Sequence, residues 1–495
     1  MNNEELLKEI LSLKNQLKEK QIFIDQLQSM VDAFKRAKFY SKSEQVSSDQ
    51  LGLFDEAELV SETTKSEEKH EEEKARAESK SRIRGQRAPL PENLPREEVV
   101  IELPEAERIC SKDGSILKEI GEEVSEKLKI IPPKVVVIKT IRKKYACQSC
   151  NETIKTASAP VALLPKTNAS ASLLAFIICS KYADGLPLYR QEQIFSRYGI
   201  DVDARSMARW VIDASEKLQP IYNLLNEKLV DSDYIQMDET YVQVLKEEGR
   251  AAESKSFMWV RYRPGNSPIV LFDYFSTRAS RVPHELLQDF KGYLQVDGYG
   301  GYSSICEKEE VTRLGCWDHA RRKFFEAFKT NSGKKVGKKG IVLIDKLYKI
   351  EEEISKFSAE KKLEIRKEKS LPVLAEIKSW LEEVRHNVVP KSQAGEAVIY
   401  TLNQWSSLSK VFERGDFAIS NKFVENAIRP FSIGRKNWLF STSIDGANAS
   451  AMFYSIISTA KTNGLNPFEY LNNLFEKLPL AQTADEIEAL LPLKK

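Results

Sequence analysis

The sequence predicts a multidomain chain of the α+β class: an N-terminal coiled coil, a small β-rich module, a set of helices, and a mixed α/β domain carrying a helical insertion. Three observations predict it. Apolar residues recur in heptads over the first forty positions, a Cys-x-x-Cys sits among β-branched runs near residue 150, and after Asp231 the apolar period changes from helical to alternating. At 495 residues, 41% hydrophobic and 30% charged, the chain has room for about three domains with real cores. Its longest strongly apolar run, Leu173 to Cys179, is too short to cross a bilayer. The polar, acidic start lacks the basic-then-apolar layout of a signal peptide, so the chain is expected to stay in the cytosol with no membrane partner.

Residues 1–40 place Leu6, Ile10, Leu13, Leu17, Ile24, Leu27, Val31 and Phe34 at steps of four and three, with Lys20 intruding in the same register. This predicts a leucine zipper and, through it, a homo-oligomer. The alternative is one amphipathic helix lying on the body of the protein. Residues 41–95 read as a charged, disordered linker: Asp55 to Lys80 holds ten acidic against five basic residues, and large apolar residues are few. Because the whole chain carries +2, basic surface is concentrated outside that stretch.

Residues 96–165 surround KKYACQSC with runs such as VVVIKTI, the pattern of a small zinc-finger-like DNA-binding module. Cys147 and Cys150 have the spacing of a zinc hairpin. The upstream partner reads CSKDG, offering Cys110 and Asp113. Zn2+ held by three Cys and one Asp is one reading; a degenerate module that keeps its fold by packing is the other. Residues 166–225 then give three helical segments with a tight turn at Gly199. They resemble a helix-turn-helix whose last helix presents Arg205 and Arg209 to a major groove, or equally a three-helix bundle that binds nothing.

From 230 to 460 the text changes. YIQMDETYVQVL, SFMWVRYR and PIVLFDYF alternate as three antiparallel strands, HELLQDF follows as a helix, and GYLQVDGYGGY is a further strand that turns at Gly298. Strand, strand, strand, helix, strand is the opening order of the ribonuclease-H-like fold. Asp238 sits mid-strand with Gln236 and Thr240 on its face, and Asp297 ends the fourth strand. Two carboxylates held close repel unless a cation neutralises them, and hard oxygen donors suit Mg2+ or Mn2+. A third acid for a second ion is Glu425, on a helix expected to start near Ser420 and to be stopped by Pro430. Asn421, Glu425 and Arg429 recur at intervals of four on one face, and Arg435 and Lys436 add charge where DNA backbone would lie. Charged helical text from about 334 to 410 predicts an insertion, and 461–495 a C-terminal helical tail.

In order, PLPENLPREEV, KYACQSC, SKYADGLPLYRQEQIFSRYGI, QMDETYV, VDGYGGY, CWDHARRKF and ENAIRPFSIGRKNWLFS resemble the transposases of the insertion sequence 66 family, over about Pro89 to Leu471. The resemblance implies a DDE transposase with Asp238, Asp297 and Glu425 as catalytic acids, preceded by a leucine zipper and a zinc-finger-like domain. Asp113 departs from the cysteine the family commonly has. The resemblance also implies a bacterial enzyme, associated with the nucleoid when bound to DNA, and accessory proteins of the same element as partners. Its DNA partners are the element's terminal repeats and the target duplex. Two ions bridged by the three acids would support strand cleavage and then strand transfer.

Each acid alone has a plainer reading: a surface Asp238, a turn-forming Asp297, a solvated Glu425. His319, beside Arg321 and Arg322, either touches the scissile phosphate or a metal-bound water, or is structural at a strand-to-helix junction. Trp438 and Trp317 either stack on an unpaired base or belong to the core. The alternatives in function are a ribonuclease-H-like nuclease or resolvase that does not join strands, and a catalytically inactive DNA-binding relic.

Overall fold

The computed structural model describes residues 96–494, apart from residue 332 and scattered positions between 103 and 153. The expected zipper and linker, and the four zinc-ligand candidates Cys110, Asp113, Cys147 and Cys150, lie outside the described residues. The chain divides into two units at residue 141. The described residues of the first unit carry Leu117 N–H bonded to the Arg108 carbonyl (2.8 Å). The run VVVIKTI, read as part of a small β-rich module, is exposed from Val135 to Ile141. Its β-branched residues suit a half-buried pleated surface, and among the described residues no strand pairs with them.

The second unit opens with a hairpin, β1 (Lys144–Ala146) antiparallel to β2 (Ile154–Thr156). Four helices follow: α1 (Ala171–Tyr182), α2 (Leu188–Arg197), α3 (Ala204–Lys217) and α4 (Gln219–Val230). Ser170 caps α1 and Asp203 caps α3, each accepting a backbone N–H three residues on. Gly199, at φ +72°, makes the turn between α2 and α3. This turn was legible; α4 was not, since it follows α3 after a single residue.

Next come β3 (Tyr234–Lys246), β4 (Lys255–Arg263), β5 (Ile269–Phe275), α5 (Arg281–Leu286), β6 (Gly292–Gln295), α6 (Ser303–Cys306) and β7 (Val311–Leu314). They form a mixed sheet of order β5-β4-β3-β6-β7, in which β4 is antiparallel to both neighbours and β6 and β7 run parallel to β3. The three strands, the helix and the fourth strand are those expected; β7 was not anticipated, because VTRL sets two polar residues between its two apolar ones and so does not alternate. Gly292, at φ +139°, lets β6 begin hard against β3, where a Cβ would lie 2.4 Å from the Asp233 carbonyl oxygen.

After α7 (Trp317–Phe328) the insertion is helical: α8 (Lys334–Glu353), α9 (Ala359–Ile365), a π-helical turn Arg366–Ser370, α10 (Leu371–Arg385), α11 (Gln393–Asn403) and α12 (Trp405–Lys410). It builds a second core with α7 around Trp317, Phe324, Leu347, Ile377, Leu381 and Phe417. α13 (Lys422–Trp438) and β8 (Ser441–Ser443) return the chain to the sheet, where β8 pairs with β3. Last are α14 (Ile444–Thr462), α15 (Pro467–Lys477) and α16 (Ala484–Glu488).

The main core is continuous from α1 through the sheet to α14 and α15, with Ile177, Trp210, Val260, Phe272, Phe453 and Leu474 in one cluster. The helices of 166–225 are therefore packed into the same body as the sheet rather than set apart from it. α14 also closes the outer edge of β5. Ser455 Oγ accepts the Phe272 N–H (2.7 Å), and Thr459 Oγ1 accepts the Val270 N–H (3.0 Å) and donates to the Val270 carbonyl (2.9 Å). Hydroxyls four residues apart on one helix face thus satisfy backbone groups that an edge strand leaves open. Thr459→Val is expected to lower stability by about 1–3 kcal/mol, because it strands a buried N–H and a buried carbonyl. Urea denaturation would show it as a lower midpoint at unchanged slope; an unchanged midpoint would mean the edge is not sealed in this way.

Candidate active site

Residues two apart on a strand share a face, so Gln236, Asp238 and Thr240 point together and Glu239 points away. α13 covers that face. Gln236 Nε2 donates to the Ser420 carbonyl (3.2 Å), and its Oε1 accepts the Val424 N–H (3.3 Å). The same Nε2 donates to Gln295 Oε1 (2.7 Å), while Gln295 Nε2 donates to the carbonyls of Gly315 and Ala418 (both 2.9 Å). Both glutamines are fully buried. This network ties β3, β6, the end of β7 and the start of α13 to one another, and leaving any of its members unpaired would be costly.

Gln236 and Gln295 are in register on the parallel strands β3 and β6. Two residues on, each chain presents an acid: Asp238 within β3, and Asp297 just past the end of β6. Asp297 Oδ1 accepts the Tyr299 N–H (2.9 Å), and Arg313 donates to its carbonyl. Gly298 is required beside it, since a Cβ there would lie 2.4 Å from the Tyr400 ring of α11. Glu425 occupies the first turn of α13, four residues after the Asn421 cap.

The charges of these three acids act on one another. Burial first, then the charges of Glu239, Asp297 and Glu425, hold the Asp238 carboxyl well above the usual carboxylate range. Burial, with Asp318 and Asp297, pushes Glu425 up to about 7 against the opposing pull of Arg322 and Arg429. Glu239, on the opposite face, is occupied by an ion pair with Arg278 and a hydrogen bond from Tyr302.

His319 enters from the first turn of α7, with Nδ1 3.8 Å from Glu425 Oε1. Both atoms are buried without a hydrogen-bond partner. Burial first, then the Arg322 charge, depresses the imidazole pKa. An orphaned carboxylate oxygen, an orphaned ring nitrogen and mutually repelling acids are the surroundings a divalent cation would relieve, and the oxygen donors of Asp238, Asp297 and Glu425 fit a hard ion.

Several expectations change in the folded chain. Pro430 does not stop the helix: α13 runs through it to Trp438, held along its length against β3 and β4. Arg435, expected on DNA backbone, is only 8% exposed; it donates to Thr240 Oγ1 (3.3 Å) and to the Tyr241 carbonyl, and its guanidinium sits 3.8 Å from the Tyr241 ring centroid. Ten residues after Glu425 it has come round to the face that meets β3. Trp317 is fully buried, donating to the Leu408 carbonyl (3.0 Å), and Trp438 is half-buried against Phe431. Arg321 pairs with Asp345 at 2.8 Å. Arg322 is half-buried, and its charge reaches both Glu425 and His319. Arg429 and Lys436 are exposed on α13, and Arg205 and Arg209 on α3.

Sequence reasoning did not assign Cys316 a place in the site. The fold sets its sulfur beside the start of α13, accepting the Asn421 N–H at 3.5 Å. The Cys-x-x-His spacing at a strand-to-helix junction was the available signal, since it puts the thiol at the helix cap and the imidazole in the first turn.

Among the described residues no helix is long and apolar enough to cross a membrane. A family model described as "Transposase IS66 family" matches residues 166–449, and others described as "zinc-finger binding domain of transposase IS66", "IS66 C-terminal element" and "Transposase C of IS166 homeodomain" match 107–151, 455–493 and 26–99. The chain is similar to three proteins of Sinorhizobium fredii. Uncharacterized protein y4qI is 34% identical over 82% of this chain and 78% of its own length, y4jD is 32% identical over 81% of each, and y4hP is 31% identical over 87% and 81%. On the match across the helices, the sheet, the insertion and α13, the chain belongs to the IS66 transposase family.

Proposed function

We propose that the chain is a DDE transposase that binds the ends of its insertion sequence, cleaves DNA strands there and joins them to a target duplex. The observation that carries this reading is the convergence of Asp238 within β3 and Asp297 just past the end of the parallel strand β6, each two residues beyond a registered glutamine, with Glu425 on the helix packed across β3. The strand order, with β3 at its centre and β4 antiparallel to both its neighbours, supports a ribonuclease-H-like catalytic domain. Two Mg2+ or Mn2+ ions would activate water or a 3′-hydroxyl and stabilise the leaving oxygen.

The chain's own residues position and protect that chemistry. Asp238, Asp297 and Glu425 would hold the ions, while Gln236 and Gln295 fix the three backbones relative to one another. His319, kept neutral by burial and Arg322, would hydrogen-bond the scissile phosphate. Arg322 adds positive charge beside Glu425, where a phosphate would sit. Arg429 and Lys436 would track the DNA backbone from α13, and Arg205 and Arg209 would meet the duplex from α3. The zinc-finger-like module, with Zn2+ on Cys110, Asp113, Cys147 and Cys150, and the N-terminal zipper would supply end recognition and pairing of protomers. Accessory proteins of the same element would complete the assembly.

The test is manganese- or magnesium-dependent cleavage and joining on a duplex bearing the element's own end, with native protein and Glu425→Gln. Joining by the native chain alone, with DNA binding kept in the variant, is the expected result. Undiminished activity in the variant would move the third acid elsewhere, and cleavage without joining would favour a nuclease or resolvase.

A further inference from the structure

The donors around Glu425 are of two chemical kinds. Toward β3 and β6 they are carboxylate oxygens alone. Toward α7 they are a thiol, an imidazole and the Glu425 carboxylate, and the ligand atoms of Cys316, His319 and Glu425 all lie within 4.8 Å of one another. Sulfur and nitrogen donors suit a borderline-soft ion, and carboxylates and water a hard one.

We propose that Cys316, His319 and Glu425 form a binding site for a divalent ion of the zinc class, separate in its donors from the all-oxygen site and sharing Glu425 with it. Four features carry the inference. His319 Nδ1 and Glu425 Oε1 are buried 3.8 Å apart with no hydrogen-bond partner, so they need to close only slightly to share one ion. Cys316 is 2% exposed, and its sulfur is held in place by the Asn421 N–H. The fully buried side-chain amide of Asn421 has no hydrogen-bond partner on either of its polar atoms, a further unsatisfied polar group next to the Cys316 sulfur. The three ligands also come from well-supported backbone: the cap and first turn of α7, where the Trp317 N–H bonds to the Ile419 carbonyl (3.2 Å), and the first turn of α13.

Three protein ligands leave a fourth tetrahedral position for water or a substrate oxygen. Binding releases the thiol proton to solvent, and the thiolate, the neutral imidazole and the carboxylate then hold the ion. Because one carboxylate serves both sites, occupancy of one changes the affinity of the other.

The inference shares Glu425 with the proposed function, but its test does not depend on activity. The full-length chain, stripped of metal, is titrated with Co2+ as a spectroscopic substitute for zinc, beside Cys316→Ser and His319→Gln. The N-terminal cysteines contribute equally in all three, so the readout is the difference between proteins. The native chain should take up a further equivalent with a thiolate-to-cobalt charge-transfer band that Cys316→Ser lacks, and His319→Gln should weaken that uptake by at least about tenfold. Identical stoichiometry and spectra in the native chain and both variants would overturn the site. If circular dichroism shows that Cys316→Ser does not fold, His319→Gln, which keeps the thiol, decides alone. Manganese-dependent cleavage with no difference spectrum would reject this site and leave the transposase reading standing; a difference spectrum without cleavage would do the reverse.

Discussion

Asp238→Asn is expected to lower metal-dependent strand cleavage by about a hundred- to a thousand-fold or more, while binding of the end duplex persists and the metal-free chain becomes more stable. Loss of activity follows from the central place of this carboxylate, which the charges of both Asp297 and Glu425 reach. Gain of stability follows from the same geometry, because in the absence of metal Asp238 is buried among the charges of Glu239, Asp297 and Glu425. An amide of the same shape removes that repulsion.

The pH dependence has a definite sign. Glu425 titrates at about 7 in the folded chain against an ordinary value of 4.5, and Asp238 is raised as well. Between those values the folded state holds protons that the unfolded state has released, so stability falls as pH rises through the window. Asp297 and Asp318 raise Glu425, while Arg322 and Arg429 lower it; the depressed imidazole of His319 acts with the opposite sign below its ordinary value of 6.5, so the fall in stability from the acids is steepest above that pH. Thermal melting with chelator present should therefore give a higher midpoint at about pH 5.5 than at about pH 7.5, and Asp238→Asn should shrink the difference. Saturating Mn2+ should restore stability at the higher pH. A midpoint that is flat or rises with pH would mean the acids are not gathered as described.

Arg366→Ala is expected to cost about 3–5 kcal/mol, the largest stability loss foreseen outside the catalytic region. Arg366 is 1% exposed in the π-helical turn after α9. Its guanidinium pairs with Glu351 (2.6 and 2.8 Å) and donates to the carbonyls of Val411 (3.0 Å), Phe417 (2.8 Å) and Arg414. One side chain thus ties α8 to the segment that returns from α12 toward α13. Alanine leaves a part-buried carboxylate and three carbonyls without their donor. The loss should appear as a lower urea midpoint, and the double variant Arg366→Met, Glu351→Gln should recover part of it, because both charges are then gone. A single-variant loss below about 1 kcal/mol would show that the insertion is held by its apolar core alone.

Most of the architecture was legible because periodicity records which face of an element is buried. The alternation in YIQMDETYVQVL and its successors marked β3, β4 and β5, and the charged helical text between residues 334 and 410 marked the insertion. β7 escaped because VTRL places its two apolar residues three apart, which does not read as an alternating strand. Pro430 misled because an isolated-helix rule ends a helix there, whereas packing along β3 and β4 carries α13 past it.

By itself the sequence determined the order of elements and the residue types able to bind metal, since both follow from local pattern and side-chain chemistry. Only the tertiary structure decided which of those residues meet. Glu425 faces Asp238 because buried Gln236 and Gln295 bind the turn before α13. Arg435 is withdrawn from solvent because its turn of α13 meets β3. Cys316 and His319 join Glu425 because the end of β7 and the start of α13 are tied to the same glutamine pair. These are contacts between residues far apart in the chain, and they depend on buried hydrogen bonds whose partners no local pattern reveals.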